Sequence, residues 1–187
     1  MGKLNNTKEA QLEQNLIDLL CAQHGQWTFR SDLKTEEDLW NNLRNIIEIR
    51  NKSELNDNML TDSEFKRIRS EILANTKTPF EAAKWLRGEK GKCSVVLERD
   101  NGLGRIELII YSSIEKNGGF SSYEIVHQIA KNKSNLEERS RRFDITLLIG
   151  GLPIIQIELK TAIAKDGVKQ AYYQIEKYID EGTFSNT

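Results

Sequence analysis

The sequence predicts an α/β protein in which a mixed, largely antiparallel sheet is flanked by helices and preceded by a further helical segment. Three observations carry that expectation. Apolar residues recur at helical spacing through the first half of the chain, and the period changes to that of strands at Cys93. The most apolar stretch, "RRFDITLLIGGLPIIQIELK" (residues 141–160), reads as two strands joined at Gly-Gly-Leu. That same stretch carries Asp144, Glu158 and Lys160, although charge inside a sheet is costly.

The helices come first. Over residues 9–21, Leu12, Leu16, Leu19 and Leu20 gather on one face, with Gln11, Gln14, Asn15 and Asp18 opposite. A second amphipathic segment, 36–49, aligns Leu39, Leu43, Ile46 and Ile47. A third opens on Thr61-Asp62-Ser63-Glu64, a capping box, and places Phe65, Ile68 and Ile72 on its face. A short fourth opens on Thr78-Pro79, cap and first-turn proline together, and stops at Gly88. This region reads as a helical packing layer.

Strands follow. Segments 93–99 and 105–112 flank Asp100-Asn101-Gly102, a hairpin signal. Asn117-Gly118-Gly119 turns the chain into a strand at 120–129. A connector then brings Lys131, Lys133, Arg139, Arg141 and Arg142 against Glu137 and Glu138, either a solvated loop or a phosphate-contacting surface. After the charged hairpin a helix is expected at 166–180. In domain terms the expectation is an N-terminal helix (1–30), a helical insert or packing layer (31–90), and a sheet with a C-terminal helix (91–187).

Composition narrows the class. With 187 residues, 38% hydrophobic and 29% charged, the chain has the make-up of an ordinary globular domain. The 27 basic and 28 acidic residues do not mark a strongly basic nucleic-acid binder, so any DNA contact needs a local patch or a bound metal. Cys21 and Cys93 stand far apart without metal-ligand spacing, as in a reduced, cytoplasmic protein. The N-terminus lacks an apolar signal region, and no run of apolar residues is long enough to span a membrane.

Counting along the charged hairpin separates its two faces. Phe143, Ile145, Leu147, Ile149, Ile155, Ile157 and Leu159 form an apolar face. The other carries Asp144, Thr146, Leu148, Ile154, Gln156, Glu158 and Lys160, so the charges gather at the open end. A two-residue loop would set Asp144 opposite Ile157. A three-residue loop, Gly150 to Leu152, pairs Asp144 with Glu158 and puts Pro153 first in its strand, and a bulge reaches the same pairing by another route. Two neighbouring carboxylates repel unless a cation lies between them. Lys160 offers one charge, which leaves a simple ion pair open. A divalent ion held by carboxylates, a backbone carbonyl and water is the alternative, and without His or Cys nearby the donors suit Mg²⁺ or Mn²⁺.

Asp144, thirteen residues, then Glu158-Leu159-Lys160 resembles the PD-(D/E)XK nuclease signature. Together with Gln174-Ile175-Glu176-Lys177-Tyr178 and the opening "KEAQLEQNLIDLL", it looks like the N-terminal nuclease domain of the type I restriction endonuclease R (motor) subunit. The resemblance implies a restriction-endonuclease-like core in which Asp144, Glu158 and Lys160 are catalytic. It further implies Mg²⁺ or Mn²⁺ on Asp144, Glu158 and the Leu159 carbonyl, with a helical glutamate, Glu13 or else Glu9, completing the set. Gln174 and Tyr178, four apart on one helical face, with Arg141 and Arg142, would contact DNA or support Lys160. Phe143 stands where the signature often has proline, a backbone aid and not a ligand.

What the family implies is Mg-dependent hydrolysis of double-stranded DNA, in complex with methyltransferase and specificity subunits, after ATP-driven translocation. No Gly-X4-Gly-Lys-[Ser/Thr] loop occurs, so ATP would belong to a motor elsewhere in a longer subunit. The chain accordingly reads as the amino-terminal piece of that subunit, with a core that continues further. A standalone nuclease or resolvase, and a non-catalytic docking domain for subunit assembly, are the alternatives.

Overall fold

The computed structural model describes residues 2–22, 26–113, 122–130, 142–159, 168, 169, 172, 173 and 176, with side chains at all of these except 2–7, 130, 142 and 143. The turn expected at 117–119, the basic connector 131–141 and most of the expected helix 166–180 lie outside the described residues. Val168, Lys169, Tyr172, Tyr173 and Glu176 are helical. The chain divides into two units, Met1–Leu43 with Ser121–Ile175 and Arg44–Phe120 with Glu176–Thr187.

The first unit holds α1 (Gly2–Ala22), β1 (Thr28–Phe29), the start of α2 (Glu36–Arg50), β4 (Tyr123–Ala130), β5 (Arg142–Ile149) and β6 (Leu152–Ile157). Its sheet runs β1-β4-β5-β6, with β1 parallel to β4 and the other pairs antiparallel, the mixed and mainly antiparallel sheet that the sequence predicts. Both faces are covered. On one, Leu16, Ile17 and Leu20 of α1 meet Ile125, Ile145, Leu147, Ile157 and Leu159. On the other, Leu33 and Leu39 meet Val126, Ile129 and Leu148. Burial on both sides explains why β4 and β5 are apolar with little alternation.

The buried stripe of α1 is rotated from the one expected. Ile17 is 1% exposed and Glu13 7%, whereas Leu12 and Leu19 are exposed. Glu13, Leu16, Ile17 and Leu20 follow the i, i+3, i+4, i+7 pattern, but a glutamate at its first position disguises it as a polar face. On the α2 side, Glu124 is buried and satisfied by Arg30, by Asn42 Nδ2 at 2.9 Å and by the Ser122 hydroxyl at 3.3 Å. This network ties the first turns of α2 to the start of β4.

The second unit contains the rest of α2, α3 (Lys52–Leu55), α4 (Asp62–Asn75), α5 (Pro79–Arg87), β2 (Lys92–Glu98) and β3 (Arg105–Ser112). The Cys93 hairpin forms a two-stranded sheet of its own, apart from the four-stranded sheet. Cys93, Val95, Leu97, Leu108 and Ile110 are buried on its inner face. Asn51 satisfies the edge of β3 as a strand would: its Nδ2 donates to Ile109 O at 2.9 Å, and its Oδ1 accepts from Ile109 N at 2.8 Å.

Both expected caps form. Thr61 and Glu64 make the reciprocal capping box, and Thr78 accepts from Glu81 N ahead of Pro79. Glu64 does more than cap. Fully buried, it also accepts from Arg99 Nε at 2.7 Å and from Asp100 N at 2.8 Å, so one carboxylate joins the start of α4 to the β2–β3 turn. Burial pushes this carboxyl up, but the Arg99 hydrogen bond and the Thr61 and Asp100 amides outweigh it and leave the group below its ordinary 4.5.

Two outcomes follow for this unit. Arg99→Met strands a buried carboxylate and should cost about 3–5 kcal/mol in urea unfolding. Because the folded carboxyl is the stronger acid, its contribution is complete above pH 4.5 and lost as pH falls through the folded value. Glu64→Gln should therefore flatten the acid limb of the stability–pH curve below that point.

Candidate active site at the open end of the β5–β6 hairpin

The hairpin closes through the two-residue loop Gly150-Gly151, with φ of 60° and 80°, not through the three-residue loop expected. Both positive φ values fit the primed turn that matches strand twist, a conformation glycine adopts without strain. Next to the turn, Ile149 pairs with Leu152 and Leu148 with Pro153. Beyond it, Leu147 pairs with Ile155 and Ile145 with Ile157, so Ile154 is an extra residue in β6. Pro153 sits second in β6, beside this bulge, where its missing N–H does not cost a ladder bond.

The bulge restores the pairing that the short loop alone would have broken. Continuing the Ile145–Ile157 register by one residue sets Asp144 opposite Glu158. Leu159 N donates to Asp144 Oδ2 at 2.7 Å, so the Asp144 carboxylate lies against the backbone that follows Glu158. One step inward, Thr146 Oγ1 bonds Gln156 Oε1 at 2.7 Å across the same strands. Ile145, Leu147, Ile157 and Leu159 all pack toward α1, and strand alternation turns Asp144, Thr146, Gln156 and Glu158 to the other face.

The donors on this corner are oxygens. Two carboxylates and adjacent backbone carbonyls form a hard donor set suited to Mg²⁺ or Mn²⁺, and residues 141–160 contain no histidine or cysteine. Among the described residues, no group of three His, Cys, Asp or Glu side chains converges to hold a metal. Glu13 lies on the α1 side, where its Oε2 accepts from Gln128 Nε2 at 3.0 Å. Glu9, one turn earlier on α1, is half-buried. Lys160, Arg141, Gln174 and Tyr178 lie outside the described residues, as does the side chain of Arg142.

Gln128 was not singled out by the sequence. Its backbone sits at φ 50° in the middle of β4, a left-handed conformation costing a non-glycine residue about 1–2 kcal/mol. On either side of it His127 pairs with Ile145 and Ile129 with Phe143, so Gln128 stands across from Asp144. The inversion reverses the alternation: Gln128 reaches Glu13 on the α1 side, and Ile129 joins Val126 and Leu148 on the other. The only trace in the sequence is the placement of Val126 and Ile129, three apart, on one face of a strand.

Helices on both faces of a short mixed sheet, with an acidic pair at the open end of one hairpin, make this an α/β protein of restriction-endonuclease-like layout. Residues 6–186 match the family described as the type I restriction enzyme R protein N terminus, and the chain belongs to that family. It is 31% identical over 148 residues to the type I restriction enzyme SsaAORF53P endonuclease subunit of Staphylococcus saprophyticus, 78% of this chain and 14% of that subunit. It is 30% identical over 151 residues to the SauCOLORF180P endonuclease subunit of Staphylococcus aureus strain COL, 80% of this chain and 14% of that subunit. The chain thus spans 14% of the length of these relatives. None of the described helices is long and apolar enough to cross a membrane.

The Asp144–Leu159 bond can be tested on stability alone. Asp144→Ala leaves the Leu159 N–H without its acceptor and should lower stability by about 1–2 kcal/mol in thermal denaturation. Asp144→Asn keeps an acceptor oxygen there and should cost less.

Proposed function

We propose that this chain is the DNA-cleaving domain of a type I restriction endonuclease subunit, hydrolysing phosphodiesters of double-stranded DNA with Mg²⁺ or Mn²⁺. The observation that supports this reading best is the bulged register that brings Asp144 and Glu158 side by side. Two carboxylates so placed repel each other, and a hard cation held between them turns that cost into binding.

Asp144 and Glu158 would hold the ion, with the Leu159 carbonyl as a further donor. When bound, a divalent ion supplies Lewis acidity at a phosphate oxygen and makes its water more acidic. Lys160 follows Glu158 by two residues; its amine orients the attacking water and offsets charge on the scissile phosphate. The water oxygen bonds to phosphorus, the bond to the leaving sugar oxygen breaks, and that oxygen takes up a proton as the attacking water gives one to solvent. Gln174 and Tyr178 support Lys160 or meet the DNA backbone, and Arg141 and Arg142 contact phosphates. Glu13, the helical carboxylate candidate, is held on the α1 side by Gln128.

Target choice, in this reading, belongs to a specificity subunit working with a methyltransferase, and ATP-driven translocation to another part of the full-length subunit in the cytoplasm. The test uses that full-length subunit assembled with both partners. Glu158→Ala and Lys160→Ala should each lower double-strand cleavage by about 10²-fold or more, with DNA-dependent ATPase near wild type. Retained cleavage rejects the nuclease reading. Loss of ATPase together with cleavage reassigns the residues to structure or coupling.

A further inference from the structure

In a regular β4 the side chain of residue 128 would stand on the same face as Asp144, about 5 Å away across the strand pair. A glutamine there would offer its amide to the Asp144 carboxylate, whose Oδ2 already accepts the Leu159 N–H. The left-handed backbone at Gln128 avoids this. It sends the amide through to Glu13 on the α1 side and brings Ile129 to the Leu33–Leu148 cluster. Strained residues persist where surrounding packing holds them, and they concentrate at functional sites. Here the strain sits directly across from one of the two carboxylates.

We propose that Gln128 is a positioning residue: its inverted backbone keeps the β4 flank of Asp144 free of a neighbouring side chain, so that the phosphodiester backbone of DNA can lie along that flank. The role belongs to the backbone conformation. The bond to Glu13 fastens the displaced amide and does not serve the reaction. This inference rests on the nuclease reading above.

The experiment compares substitutions by their tolerance of positive φ in the full-length subunit assembled with its partners. Glycine and asparagine adopt the left-handed conformation readily, and neither preserves the reach of glutamine to Glu13. Valine resists it and favours a regular strand. Gln128→Gly and Gln128→Asn should cleave near the wild-type rate, while Gln128→Val should lose about 10²-fold in cleavage with ATPase retained. Should the valine variant lose ATPase as well, Gln128→Ala takes its place, with a smaller loss expected in the same direction. Loss of cleavage in the glycine and asparagine variants overturns the proposal, because the amide would then be what matters. So does full cleavage by a folded valine or alanine variant. Glu158→Ala run alongside separates the two readings: if it cleaves normally the nuclease reading fails, and if it is inactive while Gln128→Val cleaves normally only the role of Gln128 fails.

Discussion

One inserted residue, Ile154, sets the alignment on which the candidate site depends. Side chains alternate along a strand with a period of two, so a register displaced by one residue moves a whole set of side chains to the opposite face. The Gly150-Gly151 turn alone would pair Asp144 with Ile157 and leave Glu158 on the other side of the sheet. The bulge in β6 adds the missing step, and Ile145 meets Ile157 instead. Pro153 stabilises the arrangement by being unable to extend a regular ladder there. The tight turn and the bulge are one device: the first satisfies strand twist, the second returns the carboxylates to a common face.

The strands around that corner are arranged to the same end. Packing of Ile17 against Ile125, Ile145 and Leu147 holds one face of the sheet, and Leu33 with Val126 and Leu148 holds the other. Between these layers polar side chains survive only where each has a partner: Thr146 with Gln156, Glu13 with Gln128, Glu124 with Arg30, Asn42 and Ser122. The second unit solves the same problem differently. There a buried Glu64 collects two amides and a guanidinium, and Asn51 completes the edge of β3.

Local signals were readable because they act over a few residues. The capping box at Thr61, the cap and proline at Thr78-Pro79, the stop at Gly88 and the left-handed turn at Asn101-Gly102 all appear where the pattern puts them. The acidic pair was readable for the same reason, since counting by two along Asp144 to Glu158 needs only a turn and its register. The stripe on α1 was misread by about one position, because a buried glutamate is invisible to a search for apolar residues. Gln128 escaped altogether: nothing in Tyr123 to Ala130 distinguishes an inverted residue from an ordinary polar one.

The sequence by itself determined the helix caps, the change from helical to strand period at Cys93, the two-faced character of residues 141–160 and the family to which these motifs point. Each rests on hydrogen bonds and side-chain periodicity between near neighbours. Only the tertiary structure decided that the Cys93 hairpin forms a sheet of its own, that a bulge and not a longer loop aligns Asp144 with Glu158, and that Gln128 turns away from Asp144 toward Glu13. Those outcomes depend on which distant strands and helices compete for the same buried surface, and that competition has no local signature in the chain.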